Sequence, residues 1–100
     1  MSTKNDILLT LKQLKPLYAQ EGVLLLGLFG SFAKETQNDF SDIDIAYTLD
    51  YERFSMKYQD GFSKLLRIDT IRNELQNRFK AKVDFVSDAN KAILKEIIYV

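Results

Sequence analysis

The segment from Asp42 to Thr48 restricts the fold most, because two kinds of residue alternate strictly along it. One side consists of Ile43, Ile45 and Tyr47, and the other consists of Asp42, Asp44, Ala46 and Thr48. Successive side chains of a strand point to opposite faces, so this pattern predicts a strand with one apolar face. It also places the carboxylates of Asp42 and Asp44 together on the other face.

Two further segments have the character of strands. Val23 to Phe29 is a continuous apolar run bounded by glycines, which predicts a buried strand. Lys82 to Val86 predicts a third strand, with Val83 and Phe85 on one face and Asp84 on the other. A third carboxylate is therefore expected on a neighbouring strand.

Three segments carry apolar residues at helical spacing. The first runs from Asp6 to Gln20, with a kink or a restart expected at Pro16, since proline lacks the backbone N–H group that a helix needs. The second follows Gly61 and has the apolar stripe Leu65, Ile68, Ile71, Leu75 and Phe79. The third begins at a cap on Ser87 or Asp88 and carries Ile93, Leu94, Ile97 and Ile98.

The remaining segments complete the predicted order αβαβαβα. Ser31 to Lys34 predicts a short helix, whereas Glu35 to Ser41 and Asp50 to Gln59 predict loops. A small mixed three-stranded sheet with helices packed on one face satisfies these patterns. We therefore expect the fold class α/β (α+β), in a single domain over residues 1–100.

The sequence contains no Cys and no His. Disulfides, thiolate nucleophiles, zinc sites built on Cys or His, and hydrolases whose base is an imidazole are thereby excluded. Catalysis is left to carboxylates, Lys, Arg, Ser, Thr or Tyr. Carboxylate sites rich in oxygen prefer hard cations such as Mg²⁺.

The charge balance also restricts the function. Fourteen basic and fourteen acidic residues cancel, so we expect no direct binding to nucleic acid, which requires a cationic surface. A local basic patch is still compatible with this balance. The sequence has neither a secretory leader nor a long apolar span, and we expect a cytoplasmic protein without membrane contact.

One constellation of residues carries the chemistry. Gly30 and Ser31 are followed by ten residues and then by Asp42 and Asp44, with Asp84 on a later strand. A glycine at a strand end lets the backbone approach a phosphate closely, and the start of a following helix favours an anion. Two aspartates at i and i+2 on a strand project side by side, as the bridging of two divalent ions requires. Each piece alone is typical of an ordinary turn or a solvated strand face, but three like charges on one surface are unfavourable without a cation.

The segment GSFAKETQNDFSDIDIAYTL resembles the signature of the minimal nucleotidyltransferases, a reduced branch of the DNA polymerase β superfamily. The likeness extends over nearly the whole chain and includes the KVDFV strand and the ILKEIIYV ending. It implies a nucleotidyltransferase fold, with ATP as substrate and Mg²⁺ as cofactor. The reaction that it implies is the transfer of a nucleotide onto an acceptor hydroxyl.

The resemblance also implies the roles of individual residues. Gly30 and Ser31 match the positions that hold the triphosphate, and Asp42 and Asp44 match those that bind Mg²⁺. Asp84 matches the third carboxylate, which serves as metal ligand or base.

Two positions depart from the family pattern, because relatives usually have Arg and then Gly where this chain has Lys34 and Glu35. Lys34 keeps the positive charge that contacts the nucleotide but lacks the bidentate fork of Arg. Glu35 replaces a flexible glycine and adds an acid near the phosphate site. The geometry of this loop is therefore expected to differ from that of relatives.

The acceptor follows from the resemblance alone. Short relatives of this kind are typically antitoxins paired with a helical HEPN ribonuclease toxin, which implies transfer of AMP to a tyrosine hydroxyl of such a partner in a hetero-oligomer. Two alternatives stay open at this point. One is a non-catalytic antitoxin that neutralises the toxin by binding, and the other is a nucleotidyltransferase that acts on a small molecule.

Overall fold

The computed structural model describes residues 3–38, 40–88 and 95–100. Within these ranges, helices and strands do not alternate strictly along the chain. They are α1 (Lys4–Ala19), β1 (Val23–Phe29), α2 (Gly30–Lys34), β2 (Ile43–Leu49), α3 (Tyr51–Lys57), α4 (Gly61–Phe79), β3 (Val83–Ser87) and β4 (Ile98–Tyr99). The three strands predicted from the sequence are confirmed to within one residue at each end.

The strands form one sheet in the order β3-β2-β1-β4. β1 is antiparallel to both of its neighbours, and β2 and β3 are parallel. The sheet is mixed, as predicted. The predicted number of three strands is wrong, because the described residues contain a fourth strand at the β1 edge.

One apolar cluster joins the helices to one face of the sheet, which agrees with the predicted packing. β2 contributes Ile43, Ile45 and Tyr47, the residues that the alternation assigns to the apolar face. The helices contribute Ile7, Leu11 and Tyr18 from α1, Phe32 and Ala33 from α2, Phe54 from α3, and Ile71, Leu75 and Phe79 from α4. The opposite face of β2 carries Asp44, which the pairing with β3 places beside Asp84.

The start of α1 is fixed by a reciprocal pair of hydrogen bonds. The Asp6 amide donates to Thr3 Oγ1 at 3.2 Å, and the Thr3 amide donates to Asp6 Oδ2 at 3.3 Å. This capping box satisfies amide groups that have no partner inside the helix. The helix then continues through Pro16 to Ala19, so the restart expected at Pro16 does not occur.

The predicted loop from Asp50 to Gln59 is wrong, because seven of its residues form α3. The Asp50 side chain caps this helix by accepting a hydrogen bond from the Arg53 amide at 3.3 Å. Phe54 is fully buried, whereas Tyr51 and Met56 are exposed. A helix of two turns that buries one large side chain shows no apolar period, and so the sequence pattern could not reveal it.

The helix predicted for the end of the chain is also wrong in the residues that the structure describes. Ile93 and Leu94 lie outside the described residues. Ile98 belongs to β4, where it pairs with Leu28, and Ile97 precedes that strand. Short apolar runs fit a helix and a buried strand equally well, which explains the error.

A partly buried charged network ties α4 to the turn that precedes β1. Arg67 donates from Nε to Glu21 Oε1 at 2.6 Å and from a terminal nitrogen to Glu21 Oε2 at 3.0 Å. The Tyr58 hydroxyl donates to the same carboxylate at 2.9 Å. Paired and hydrogen-bonded in this way, the carboxylate tolerates its burial.

None of the helices that the structure describes has the length and the apolar character needed to cross a membrane.

We expect Gly27→Val to lower the free energy of unfolding by about 2 kcal/mol, because it would force β4 away from β1. A Cβ atom at Gly27 would lie 2.7 Å from the Ile98 carbonyl carbon and 2.9 Å from the Tyr99 Cα atom. Gly61→Ala is the matched control, since a Cβ atom at Gly61 meets nothing within 4 Å and alanine favours a helix. Urea denaturation measures both variants. Unchanged stability of Gly27→Val would contradict the described pairing of β4.

Candidate active site

Asp44 lies at the centre of the candidate site, on the face of the sheet opposite to the apolar cluster. Its neighbour on β1 is Phe29, the last residue before α2, and its neighbour on β3 is Asp84. Adjacent strands are about 4.8 Å apart, so Asp44 and Asp84 carry their carboxylates side by side. The pairing of the strands thus brings together two residues that are far apart in the sequence.

Gly30 contacts the Asp44 carboxylate directly. A Cβ atom at Gly30 would overlap with an Asp44 carboxylate oxygen and would lie 2.9 Å from the Asp44 Cγ atom. Gly30 also has a φ angle of +73°, which favours glycine. Both observations require a residue without a side chain here, and they explain why the chain can turn from β1 into α2 against a carboxylate.

Like charges and burial change the titration of Asp44. Desolvation, followed by the charges of Asp84 and Asp42, raises the pKa of Asp44 from 3.8 to about 6. Asp42 precedes β2 and is exposed, and Asp84 is exposed on β3. The three predicted carboxylates are therefore close enough to repel one another.

The donor chemistry of this site fits a hard divalent cation. Carboxylate oxygens are the ligands that Mg²⁺ prefers, and a cation would relieve the repulsion that raises the pKa of Asp44. Within the described residues, however, no three side chains of Asp, Glu, His or Cys converge closely enough to enclose a metal ion. Asp42, Asp44 and Asp84 are thus neighbours and not a preformed coordination shell.

Ser31 and Lys34 belong to α2, the helix that follows Gly30. The first amide groups of a helix have no partner within it. In α2 no side-chain cap satisfies them either. Ser31 is partly buried in the first turn. The Lys34 side chain lies at the other end, where Nζ is 3.1 Å from Glu96 Oε1. The structure therefore places Gly30 beside Asp44, whereas Lys34 pairs with an acid near β4.

Glu35 adopts the backbone conformation that glycine would favour. Its φ and ψ angles are 58° and 35°, in the left-handed region, and it ends α2. Glu35 therefore takes the conformation that a glycine would favour, and the expected difference in loop geometry from relatives stays a prediction. The Glu35 carboxylate lies 3.8 Å from Lys4 Nζ on α1.

Sequence reasoning missed two residues near this site. Glu96 holds Lys34 across 62 residues of sequence, and no local pattern signals such a pair. Phe40 is 94% exposed, two residues before Asp42. The signal for Phe40 was present, because it is an isolated aromatic residue within the polar segment ETQNDFS.

The sequence model of the family "Polymerase beta, Nucleotidyltransferase" matches residues 12–100. Neither a search of curated proteins nor a search of solved structures found a match. The family match covers most of the chain and includes every residue of the candidate site. The chain belongs to the polymerase β nucleotidyltransferase family, whose members generally use a divalent metal with a nucleotide substrate.

We expect Asp44→Asn to raise the free energy of unfolding by about 1 kcal/mol at neutral pH without divalent metal. The folded pKa of about 6 lies above the ordinary 3.8, so ionisation of Asp44 destabilises the fold as the pH rises through this interval. The full shift overstates the gain, because solvent screens a partly open carboxylate.

Urea denaturation at two pH values measures this effect. The difference between Asp44→Asn and wild type is expected to vanish at pH values well below 3.8, where Asp44 is neutral in both the folded and the unfolded state. Asp84→Asn is the related control and should give a smaller gain, since its charge is the second cause of the shift. A gain that is independent of pH would contradict the electrostatic explanation.

We expect Glu35→Gly to raise the free energy of unfolding by about 0.5–1 kcal/mol, because glycine adopts positive φ without steric cost. Lys80→Gly is the matched variant, since Lys80 ends α4 with a φ angle of 52°. Thermal denaturation of both single variants provides the measurement. A loss of stability at both positions would show that the left-handed backbone is not under strain.

Proposed function

We propose that this nucleotidyltransferase transfers AMP from ATP, with Mg²⁺, to a tyrosine hydroxyl of a HEPN-type ribonuclease toxin and thereby acts as its antitoxin. The family match supports the transfer of a nucleotide in general. Beyond that match, we propose AMP as the nucleotide, a tyrosine hydroxyl as the acceptor and a HEPN-type toxin as the partner.

The contact between Gly30 and Asp44 is the observation that carries the catalytic part. It places the turn into α2 against a carboxylate whose pKa is raised to about 6 by burial and by Asp84 and Asp42. A turn with free amide groups suits phosphate, and grouped carboxylates suit a divalent cation. A nucleoside triphosphate with its metal combines the two requirements.

Each residue then has a proposed task. Gly30 and Ser31 bind the phosphates, while Asp42 and Asp44, with Asp84, hold the metal. When bound, the metal neutralises charge that develops on the phosphate oxygens. The acceptor oxygen forms a bond to the α-phosphorus. At the same time the bond breaks between the α-phosphorus and the oxygen that bridges to the β-phosphate, and pyrophosphate leaves. Asp84, the neighbour of Asp44 on β3, is proposed to accept the proton of the hydroxyl, and the strand pairing supports this role.

The partner and the acceptor rest on the resemblance of the segment GSFAKETQNDFSDIDIAYTL to minimal nucleotidyltransferases. Antitoxins of that group act on helical ribonuclease toxins. The exposed position of Asp42 and Asp84 is compatible with an acceptor that arrives on another protein, since a macromolecular substrate requires an open site.

We expect the double variant Asp42→Ala, Asp44→Ala to lose at least about a hundredfold in transfer rate, because it removes two of the three proposed ligands. The measurement is the transfer of label from α-labelled ATP, with Mg²⁺, onto the co-purified partner. Asp69→Ala is the matched control, since Asp69 is an exposed carboxylate on α4 and should leave the rate unchanged.

Label that requires Asp42 and Asp44 would support the enzymatic antitoxin and identify the acceptor. If the double variant still silences the toxin in cells and no label transfers, the antitoxin acts by binding. Transfer to a small hydroxyl compound without any partner would instead favour the small-molecule enzyme. Circular dichroism of the variants establishes that each one is folded.

A further inference from the structure

Phe40 is more exposed than any other large apolar side chain in the described part of the chain. Its exposed fraction is 94%, compared with 76% for Met56 and 73% for Phe62. Single exposed apolar residues are common on protein surfaces and do not identify a site by themselves. The position and the backbone contacts of Phe40 carry the argument further.

Phe40 is held close to the candidate site. Only Ser41 lies between Phe40 and Asp42 in the sequence, so the Cα atoms of Phe40 and Asp42 lie no more than about 7 Å apart. The Phe40 amide donates to Asn38 Oδ1 at 2.8 Å, the Ser41 amide donates to the Asn38 carbonyl at 3.1 Å, and the Asn38 amide donates to Ser41 Oγ at 2.9 Å. These bonds hold the backbone at Asn38, Phe40 and Ser41, while the Phe40 ring is almost fully exposed.

A nucleotide bound at this site has one part that matches such a ring. Its phosphates require the amide groups after Gly30 and a cation at Asp42 and Asp44, and none of these contacts involves an aromatic side chain. The base is flat and weakly polar on its faces, and it lies one ribose away from the α-phosphate. An aromatic ring that is almost fully exposed and lies within reach of Asp42 offers the base a stacking partner.

We propose that Phe40 stacks on the base of the nucleotide and so sets the affinity for the nucleoside part of the substrate. This inference rests on the proposed nucleotide-binding function. Stacking uses the face of the base and not its hydrogen-bonding edge. Phe40 therefore gives affinity with little discrimination between adenine and guanine.

The absence of tryptophan from the sequence allows a direct test. Phe40→Trp introduces a single tryptophan, whose fluorescence is quenched when a purine stacks on it. Titration with ATP and Mg²⁺ is expected to give saturable quenching, whereas inorganic triphosphate with Mg²⁺ gives none at concentrations that displace ATP. Phe62→Trp is the matched control, since Phe62 is an exposed phenylalanine on α4, and its fluorescence should not respond.

Calorimetric titration then measures the energetic contribution. Phe40→Ala is expected to raise the Kd for ATP about tenfold and to leave the Kd for inorganic triphosphate unchanged. Phe40→Tyr should restore the affinity, because it keeps the aromatic face. Thermal denaturation of the variants should match wild type, since the ring is almost fully exposed.

The outcomes separate this inference from the proposed function. Equal affinity of wild type and Phe40→Ala for ATP would overturn the inference and leave the function intact. A change confined to the KM of the acceptor would also overturn it, because Phe40 would then contact the partner. Failure of wild type to bind ATP with Mg²⁺ would overturn both.

Discussion

The contact of Gly30 with the Asp44 carboxylate is the constraint on which the arrangement of the site depends. The antiparallel pairing of β1 and β2 sets the end of one strand, at Phe29, opposite the carboxylate on the other. The chain can turn into α2 there because Gly30 has no side chain and adopts a φ angle of +73°. The same residue that permits the turn therefore brings the amide groups proposed to bind phosphate together with the carboxylate.

The apolar face of the sheet stabilises a site that is unfavourable on its own. Burial of Ile43 and Ile45, both fully buried, contributes about 2 kcal/mol each. Desolvation, together with the like charges of Asp84 and Asp42, raises the pKa of Asp44 to about 6 and costs about 1 kcal/mol after screening by solvent. β2 carries Ile43 and Ile45 on one face and Asp44 on the other. The burial of the two isoleucines therefore offsets the free-energy cost of placing the Asp44 carboxylate in the site.

The sequence predicted those elements whose apolar residues repeat at the period of a strand or a helix. The alternation from Asp42 to Thr48 predicted β2, with Asp44 on it and Asp42 directly before it, and Gly30 followed from its position at a strand end. The helix around Phe54 was missed because a single buried residue has no period. Ile98 was misplaced because a strand of two residues is defined by its partner, and Glu96 contacts Lys34 only through the tertiary fold.

Lys34 and Glu35, the two departures from the pattern of the minimal nucleotidyltransferases, are charged residues at the end of α2. Glu35 takes the left-handed conformation without glycine, and its carboxylate is directed to Lys4 at 3.8 Å. Lys34 pairs with Glu96 at 3.1 Å, and their side chains are 55% and 50% exposed. An ion pair this exposed contributes little stability. If a triphosphate binds as proposed, its larger negative charge would compete with Glu96 for Lys34 at small cost to the fold.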